Sequence, residues 1–153
     1  MGIADDAVEV RAQGWRTLAA LHGLIEAALE RELSTGFGLS VVEFTVLDAL
    51  SRQDGWHLRM TQLARAAALS SSAATRLVNR LEDRGLITRI LCADDRRGIY
   101  TELTAAGSKL LDEARPTHHR VLEEALRSAA DVPELAPLVD ALDRLPTLEP
   151  ATA

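Results

Sequence analysis

The sequence predicts a mainly α-helical fold with one small β-hairpin. Two observations carry this. Apolar residues recur at spacings of three and four through most of the chain, the mark of one-faced helices. Only Leu86–Leu91 and Ile99–Leu103 break that rhythm, and they flank a short charged turn. The 153 residues amount to about one ordinary domain, enough to bury a core without disulfides or a structural metal. A content of 47% apolar and 26% charged residues excludes wholesale disorder. No apolar run reaches the ~18 residues of a membrane span, and Met1 to Glu9 is acidic rather than signal-like, so a soluble, cytoplasmic protein without a membrane partner is expected. The single cysteine, Cys92, excludes an internal disulfide and a four-cysteine zinc site.

The first helix is expected from Ala7 to Leu33, with Trp15, Leu18, His22, Ile25 and Leu29 as its apolar stripe and a break at Leu33 to Gly38. Ser40 and Glu43 have the spacing of a capping box, in which the hydroxyl accepts from an orphan N–H and the carboxylate reaches back to the cap N–H. Val42, Val46, Ala49 and Leu50 continue that second helix to about Gln53-Asp54-Gly55. Thr61 is the expected N-cap of a short helix, Gln62 to Ala68, with Leu63, Ala64 and Ala67 inward. Ser70 caps the next helix. Its buried stripe is Ala74, Leu77, Val78 and Leu81, and its other face carries Ser71, Ser72, Thr75, Arg76, Asn79 and Arg80. Gly85 suits the left-handed position after a helix end. Leu86–Leu91 and Ile99–Leu103 then form a hairpin with a charged tip. Thr104 opens a further helix that Pro116 should kink or restart, since proline removes a backbone donor. Leu135, Leu138, Val139, Leu142 and Leu145 mark a last amphipathic segment before a frayed tail.

The total charge is −6, but its distribution is uneven. Between Gly55 and Tyr100 eight arginines face four acids, a local +4, so the rest of the chain carries −10. An acidic body with a basic middle is an electrostatic footprint that the overall pI conceals. Helix, tight turn, helix and hairpin, in that order, make a winged helix-turn-helix. Ser70, Ser71, Ser72 and Thr75 near the second helix's start can bond phosphates or base edges beside free N–H groups. Arg76, Asn79 and Arg80 can make bidentate contacts in a major groove.

The stretch from Leu39 to Gly107 resembles the MarR family of winged-helix transcriptional regulators. The resemblance rests on Ser70 to Ile87 as recognition helix and following strand, on Asp94-Asp95-Arg96-Arg97-Gly98 as wing, and on Leu103-Thr104-Ala105-Ala106-Gly107 as strand-to-helix junction. It implies a homodimer, with residues 1–38 as an N-terminal dimerisation helix, 39–104 as the DNA-binding region and 105–153 as C-terminal dimerisation helices of one intertwined domain. It also implies a repressor of a palindromic operator in double-stranded DNA, released by a small, aromatic effector. The sequence independently favours a dimer, because apolar stripes at both ends exceed what one winged domain can cover.

Trp15, His22, Phe44 and Trp56 could line an effector cleft, as aromatic rings with a few polar tips suit such a ligand. They serve equally as core or interface residues. His118, His119 and Glu123 do not make a convincing metal site, because adjacent histidines on a helix point about 100° apart. No metal and no cofactor is expected. Cys92, at the end of the first wing strand, has Arg96 and Arg97 close in sequence, but Asp94 and Asp95 as well, and is read as a plain strand residue. No nucleophile, base and orienting group gather, so an enzyme is not expected. The alternative is a winged-helix protein-interaction module without DNA binding. Arg76, Arg80, Arg96 and Arg97 argue against it.

The wing gives a test. Arg97 suits a narrow minor groove, where negative potential concentrates, and the family resemblance implies that Asp95 orients it. Arg97→Ala is expected to weaken DNA binding strongly without altering the oligomer, as read by gel shift and sedimentation. Asp95→Ala is expected to weaken binding too, although it removes a negative charge. Tighter binding by Asp95→Ala would mean plain charge repulsion and no bracing.

Overall fold

The computed structural model describes residues 3–91 and 98–147. Six helices and three strands follow in the order α1 (Ile3–Phe37), α2 (Val41–Ser51), β1 (His57–Arg59), α3 (Met60–Ala66), α4 (Ser71–Asp83), β2 (Ile87–Leu91), β3 (Ile99–Leu103), α5 (Ala105–Ala130) and α6 (Ala136–Leu142), with a 3-10 turn at Asp54–Trp56. The chain divides into two compact units. One is Leu33–Pro116; the other is the chain up to Glu32 together with Thr117–Thr147. The calls on Cys92, Asp95, Arg96 and Arg97 lie outside the described residues.

In the Leu33–Pro116 unit, Leu33, Leu39, Leu47, Leu50, Leu63, Leu77, Leu81, Ile87 and Leu111 are fully buried. They come from every helix of the unit and from β2, so one core fixes all of these elements together. The expected break after Leu33 falls later. Ser34 to Phe37 stay helical, and α1 stops where the Gly38 N–H, at φ +63, donates to the Ser34 carbonyl at 3.1 Å. The buried Leu33 holds this last turn in place. The Ser40 capping box forms as expected, with Glu43 N–H donating to Ser40 Oγ and Ser40 N–H to Glu43 Oε1, each at 3.0 Å.

The start of α3 differs from expectation. Thr61 is not its cap. The extended Arg59 ends β1 and passes straight into the helix, with its N–H donating to Gln62 Oε1 at 3.1 Å. The glutamine side chain reaches back to the N–H of the cap residue, the reciprocal half of a capping box, and no capping hydroxyl accepts from the first turn. α3 ends at Ala66, and the turn after it passes through Ala68 at φ +54; Ala68 N–H bonds the Arg65 carbonyl and Leu69 N–H the Ala64 carbonyl. The left-handed Ala68 makes the turn tight, against a cost of about 1–2 kcal/mol for a Cβ in that region.

A three-stranded antiparallel sheet in the order β1-β3-β2 replaces the simple hairpin. β3 is central, pairing Leu91 with Ile99 on one side and Leu58 with Thr101 on the other. The buried Thr101 hydroxyl donates to the Leu58 carbonyl at 3.1 Å, so its only polar side-chain atom is satisfied by the added strand. α4 leaves through Gly85 at φ +73, where Gly85 N–H bonds the Glu82 carbonyl and Leu86 N–H the Leu81 carbonyl. This paired closure needs a residue free of Cβ strain, and it delivers Leu86 into the sheet.

Thr104 ties that corner to α5. Its hydroxyl donates to the Gly85 carbonyl at 2.7 Å and accepts from Gly107 N–H at 3.0 Å. Pro116 neither ends nor restarts α5, which remains one helix through it. Leu111 and Ala114 before the proline are buried, as is Val121 after it.

In the other unit, Leu21, Ala129 and Leu135 are buried, with Ile25, Leu138 and Val139 packed on them. The expected α1 stripe is therefore rotated in part. Leu29 is buried and Ile25 packs on the core, but Leu21 joins them in place of Trp15, Leu18 and His22, which are exposed. One chain covers only one flank of α1. The last amphipathic segment divides in the same way, with Leu135 inside and Leu142 and Leu145 exposed.

Two substitutions test this packing. A Cβ at Gly107 would lie 2.1 Å from the Leu86 carbonyl oxygen. Gly107→Ala is therefore expected to destabilise the chain by about 1–3 kcal/mol in chemical denaturation; an unchanged midpoint would mean that the two backbones are not in close contact. Ala68→Gly is expected to stabilise it by roughly 0.5–1 kcal/mol, the relieved strain less the added chain entropy. A loss of stability there would contradict the left-handed turn.

Candidate nucleic-acid interface

α4 carries two chemically opposite faces. Ala74, Leu77, Val78 and Leu81 are all buried, and this stripe sets the rotation of the helix. Ser71, Ser72, Thr75, Arg76, Asn79 and Arg80 are consequently all exposed. Ser70 caps the helix, its Oγ accepting from Ala73 N–H at 3.2 Å and lying 3.3 Å from Ser72 Oγ. The other N–H groups of a helix's first turn have no partner within the helix, and together with these hydroxyls they suit an anion. Thr75 donates its hydroxyl hydrogen to the Ser71 carbonyl at 2.9 Å, which leaves that oxygen as an acceptor towards any ligand.

Among the described residues, Arg59, Arg84 and Arg89 differ from Arg76 and Arg80. Arg84 is structural, since Nη1 donates to the Gly38 carbonyl at 2.8 Å and to Glu43 Oε2 at 3.2 Å, joining the end of α4 to the start of α2. Arg89 is structural as well. Its Nη1 donates to Glu82 Oε1 at 2.8 Å, its backbone N–H to Glu82 Oε2 at 3.1 Å, and its Nη2 to Asn79 Oδ1. Arg59 Nε donates to the Tyr100 hydroxyl at 2.9 Å, and its guanidinium lies 5.4 Å from that ring's centre. Among the described residues Arg76 and Arg80, by contrast, form no ion pair, and both are exposed. They are the free cations of the helix.

A concave surface of about 580 Å³ opens beside α4, lined among others by Arg59, Thr61, Ser71, Thr75, Arg89 and Ile99. Sequence reasoning did not single out Arg59 or Thr61 for this surface. The missing signal was β1, whose pairing with β3 brings the start of α3 alongside the sheet.

In the same unit, Asp48 on α2 joins Arg52 and Arg115. Arg52 Nε donates to Oδ2 at 2.8 Å, and Arg115 Nη2 donates to Oδ1 at 3.2 Å and to Ser51 Oγ at 2.7 Å. The hydrogen bond and charge of Asp48 raise the pKa of Arg52 above its ordinary value. This clasp joins α2 to α5 and so steadies the frame that holds α4.

The residues considered for an effector are placed differently from one another. Trp15 is 67% exposed, and the exposed His22 ring lies 3.4 Å from Glu26 on the same helix. Trp56 is partly exposed at φ +58, whereas Phe44 is buried in the core under α2. His118 and His119 meet edge to face, and among the described residues no group of three or more His, Cys, Asp or Glu could hold a metal ion. No single helix among those residues is long and apolar enough to cross a membrane.

A sequence profile described as the MarR family matches residues 37–98. The chain is 33% identical over 138 residues to the HTH-type transcriptional repressor Mb2911 of Mycobacterium bovis, covering 90% of this chain and 87% of that one. It is 32% identical over 87 residues to the transcriptional repressor MprA of Escherichia coli, covering 57% of this chain and 49% of MprA; it thus spans about half the length of that relative. Among solved structures it is similar to Sco3205 of Streptomyces coelicolor, a MarR family transcriptional regulator in complex with DNA, with a TM-score of 0.73, 28% identity, and coverage of 94% of this chain and 86% of that one.

Proposed function

The chain belongs to the MarR family, and on that premise we propose that it is a sequence-specific DNA-binding transcription regulator, a repressor that binds an inverted repeat as a homodimer and yields to a small effector. The observation that carries this reading is the exposed face of α4. Ser71, Ser72, Arg76, Asn79 and Arg80 stand outward on a helix whose rotation the core fixes, and Arg76 and Arg80 have no carboxylate to neutralise them among the described residues. A helix so presented fits the major groove, with its first turn towards phosphates and its arginines towards base edges. Asp95, Arg96 and Arg97 are assigned to the wing's minor-groove contact on the sequence alone.

The dimer is supported by apolar surface that one chain leaves open. Val8, Val10, Trp15, Leu18, Leu24, Leu142 and Leu145 are exposed, all in the segments flanking the winged region. A second copy would cover them, and its two-fold axis would set half-sites on the order of 10 base pairs apart. An effector would meet Trp15, His22 or Trp56, whose rings are accessible, rather than Phe44.

The test uses duplexes selected from random DNA. Arg76→Ala is expected to lose about 1–3 kcal/mol on the selected site and little on unrelated DNA. The wild-type affinity should fall steeply with salt as arginines displace counterions. Salt-indifferent binding, or a monomer at micromolar concentration, would contradict the reading. Equal losses on both DNAs would make Arg76 a phosphate contact.

A further inference from the structure

Arg89 reaches back from β2 to α4 and takes hold of Asn79. Guanidinium carries donors only, so the atom that faces it is the carbonyl oxygen of the Asn79 amide. The amide NH2 is thereby turned away from Arg89. Glu82 fixes the guanidinium in turn, accepting from its Nη1 at 2.8 Å and from the Arg89 backbone N–H at 3.1 Å. Asn79 itself is exposed, one helical turn beyond Thr75 and Arg76 on the same face.

From this geometry we infer that Asn79 meets DNA as a hydrogen-bond donor, oriented by Arg89, and so discriminates against cytosine at the base it faces. The inference rests on the reading of α4 as the helix that enters the major groove. An unrestrained asparagine recognises adenine by turning both its oxygen and its NH2 to the base. Here one of the oxygen's two lone pairs is held by Arg89, whose bulk and positive charge disfavour a second donor beside it, so the NH2 is the group left to lead towards the base. In the major groove guanine offers N7 and O6 as acceptors, adenine N7 and thymine O4, while cytosine offers only the N4 amino donor. A side chain that leads with its NH2 therefore favours the three bases that offer an acceptor and disfavours the fourth. Arg89 and Glu82 are positioning residues, since they act through Asn79 and need not touch DNA.

The experiment is selection of binding sites from random duplexes, followed by competition with each base at each half-site position. The wild type is expected to disfavour cytosine at one position by roughly tenfold or more, with the other three bases tolerated. Asn79→Asp keeps the bond to Arg89 but loses both donors, so cytosine should become favoured at that same position with the denaturation midpoint maintained. Arg89→Met frees the amide, and adenine should become preferred there. Arg89→Lys, which can still donate to Asn79, should retain the wild-type pattern. If Arg89→Met fails to fold, Asn79→Asp decides the matter. A selected site whose base preferences are the same in wild type and Asn79→Asp overturns this inference alone. A wild-type chain that selects no sequence overturns the DNA reading, and the inference with it.

Discussion

The rest of the architecture depends on the burial of four side chains on one helix. Ala74, Leu77, Val78 and Leu81 are sealed in the core, and each fully buried leucine or valine stabilises that orientation by roughly 1.5–3 kcal/mol. A turn of α4 by one residue, about 100°, would expose this stripe and push arginine towards the interior, where an unpaired charge is heavily penalised. The helix therefore has one rotation. The polar face inherits its precision from the apolar one. Both ends are fixed as well, by the Ser70 cap and by the closure at Gly85. Through Thr104 and the close approach of Gly107 to Leu86, that closure also fixes where α5 begins.

Charge in this chain has to be sorted before it is interpreted. The basic segment between Gly55 and Tyr100 looks like a uniform footprint, yet its arginines do different work. Arg84 and Arg89 spend their donors on Gly38, Glu43, Glu82 and Asn79, and so hold elements together. Arg76 and Arg80 remain available to a ligand. Exposed ion pairs contribute little to stability one by one; their use here is geometric, since they set the directions in which neighbouring donors point.

The sequence makes local features legible and leaves long-range ones obscure. The stripe of α4, the Ser40–Glu43 box, the Ser70 cap and the turn at Gly85 all depend on residues within about two helical turns of one another, and all are found as expected. β1 is three residues long and exists only because it pairs with β3, some forty positions away, so no alternation marked it. Arg59 takes the place of Thr61 at the start of α3 for the same reason. The inward face of α1 depends on which surfaces cover it, and one chain covers Leu21 but not Leu18 or His22. At Pro116 the helix continues despite the backbone donor that proline lacks. The Asn79–Arg89 bond lies ten positions apart across a helix end and a turn, beyond any helical spacing rule.

The most direct test of this account is a structure of the chain bound to a duplex chosen by selection from random DNA. The account predicts α4 in the major groove, with Ser71, Ser72 and Arg76 within hydrogen-bonding distance of phosphates or base edges, and with Arg84 still bonded to Gly38 and Glu43. A duplex seated on another face of the protein, with the polar side of α4 turned to solvent, would contradict it.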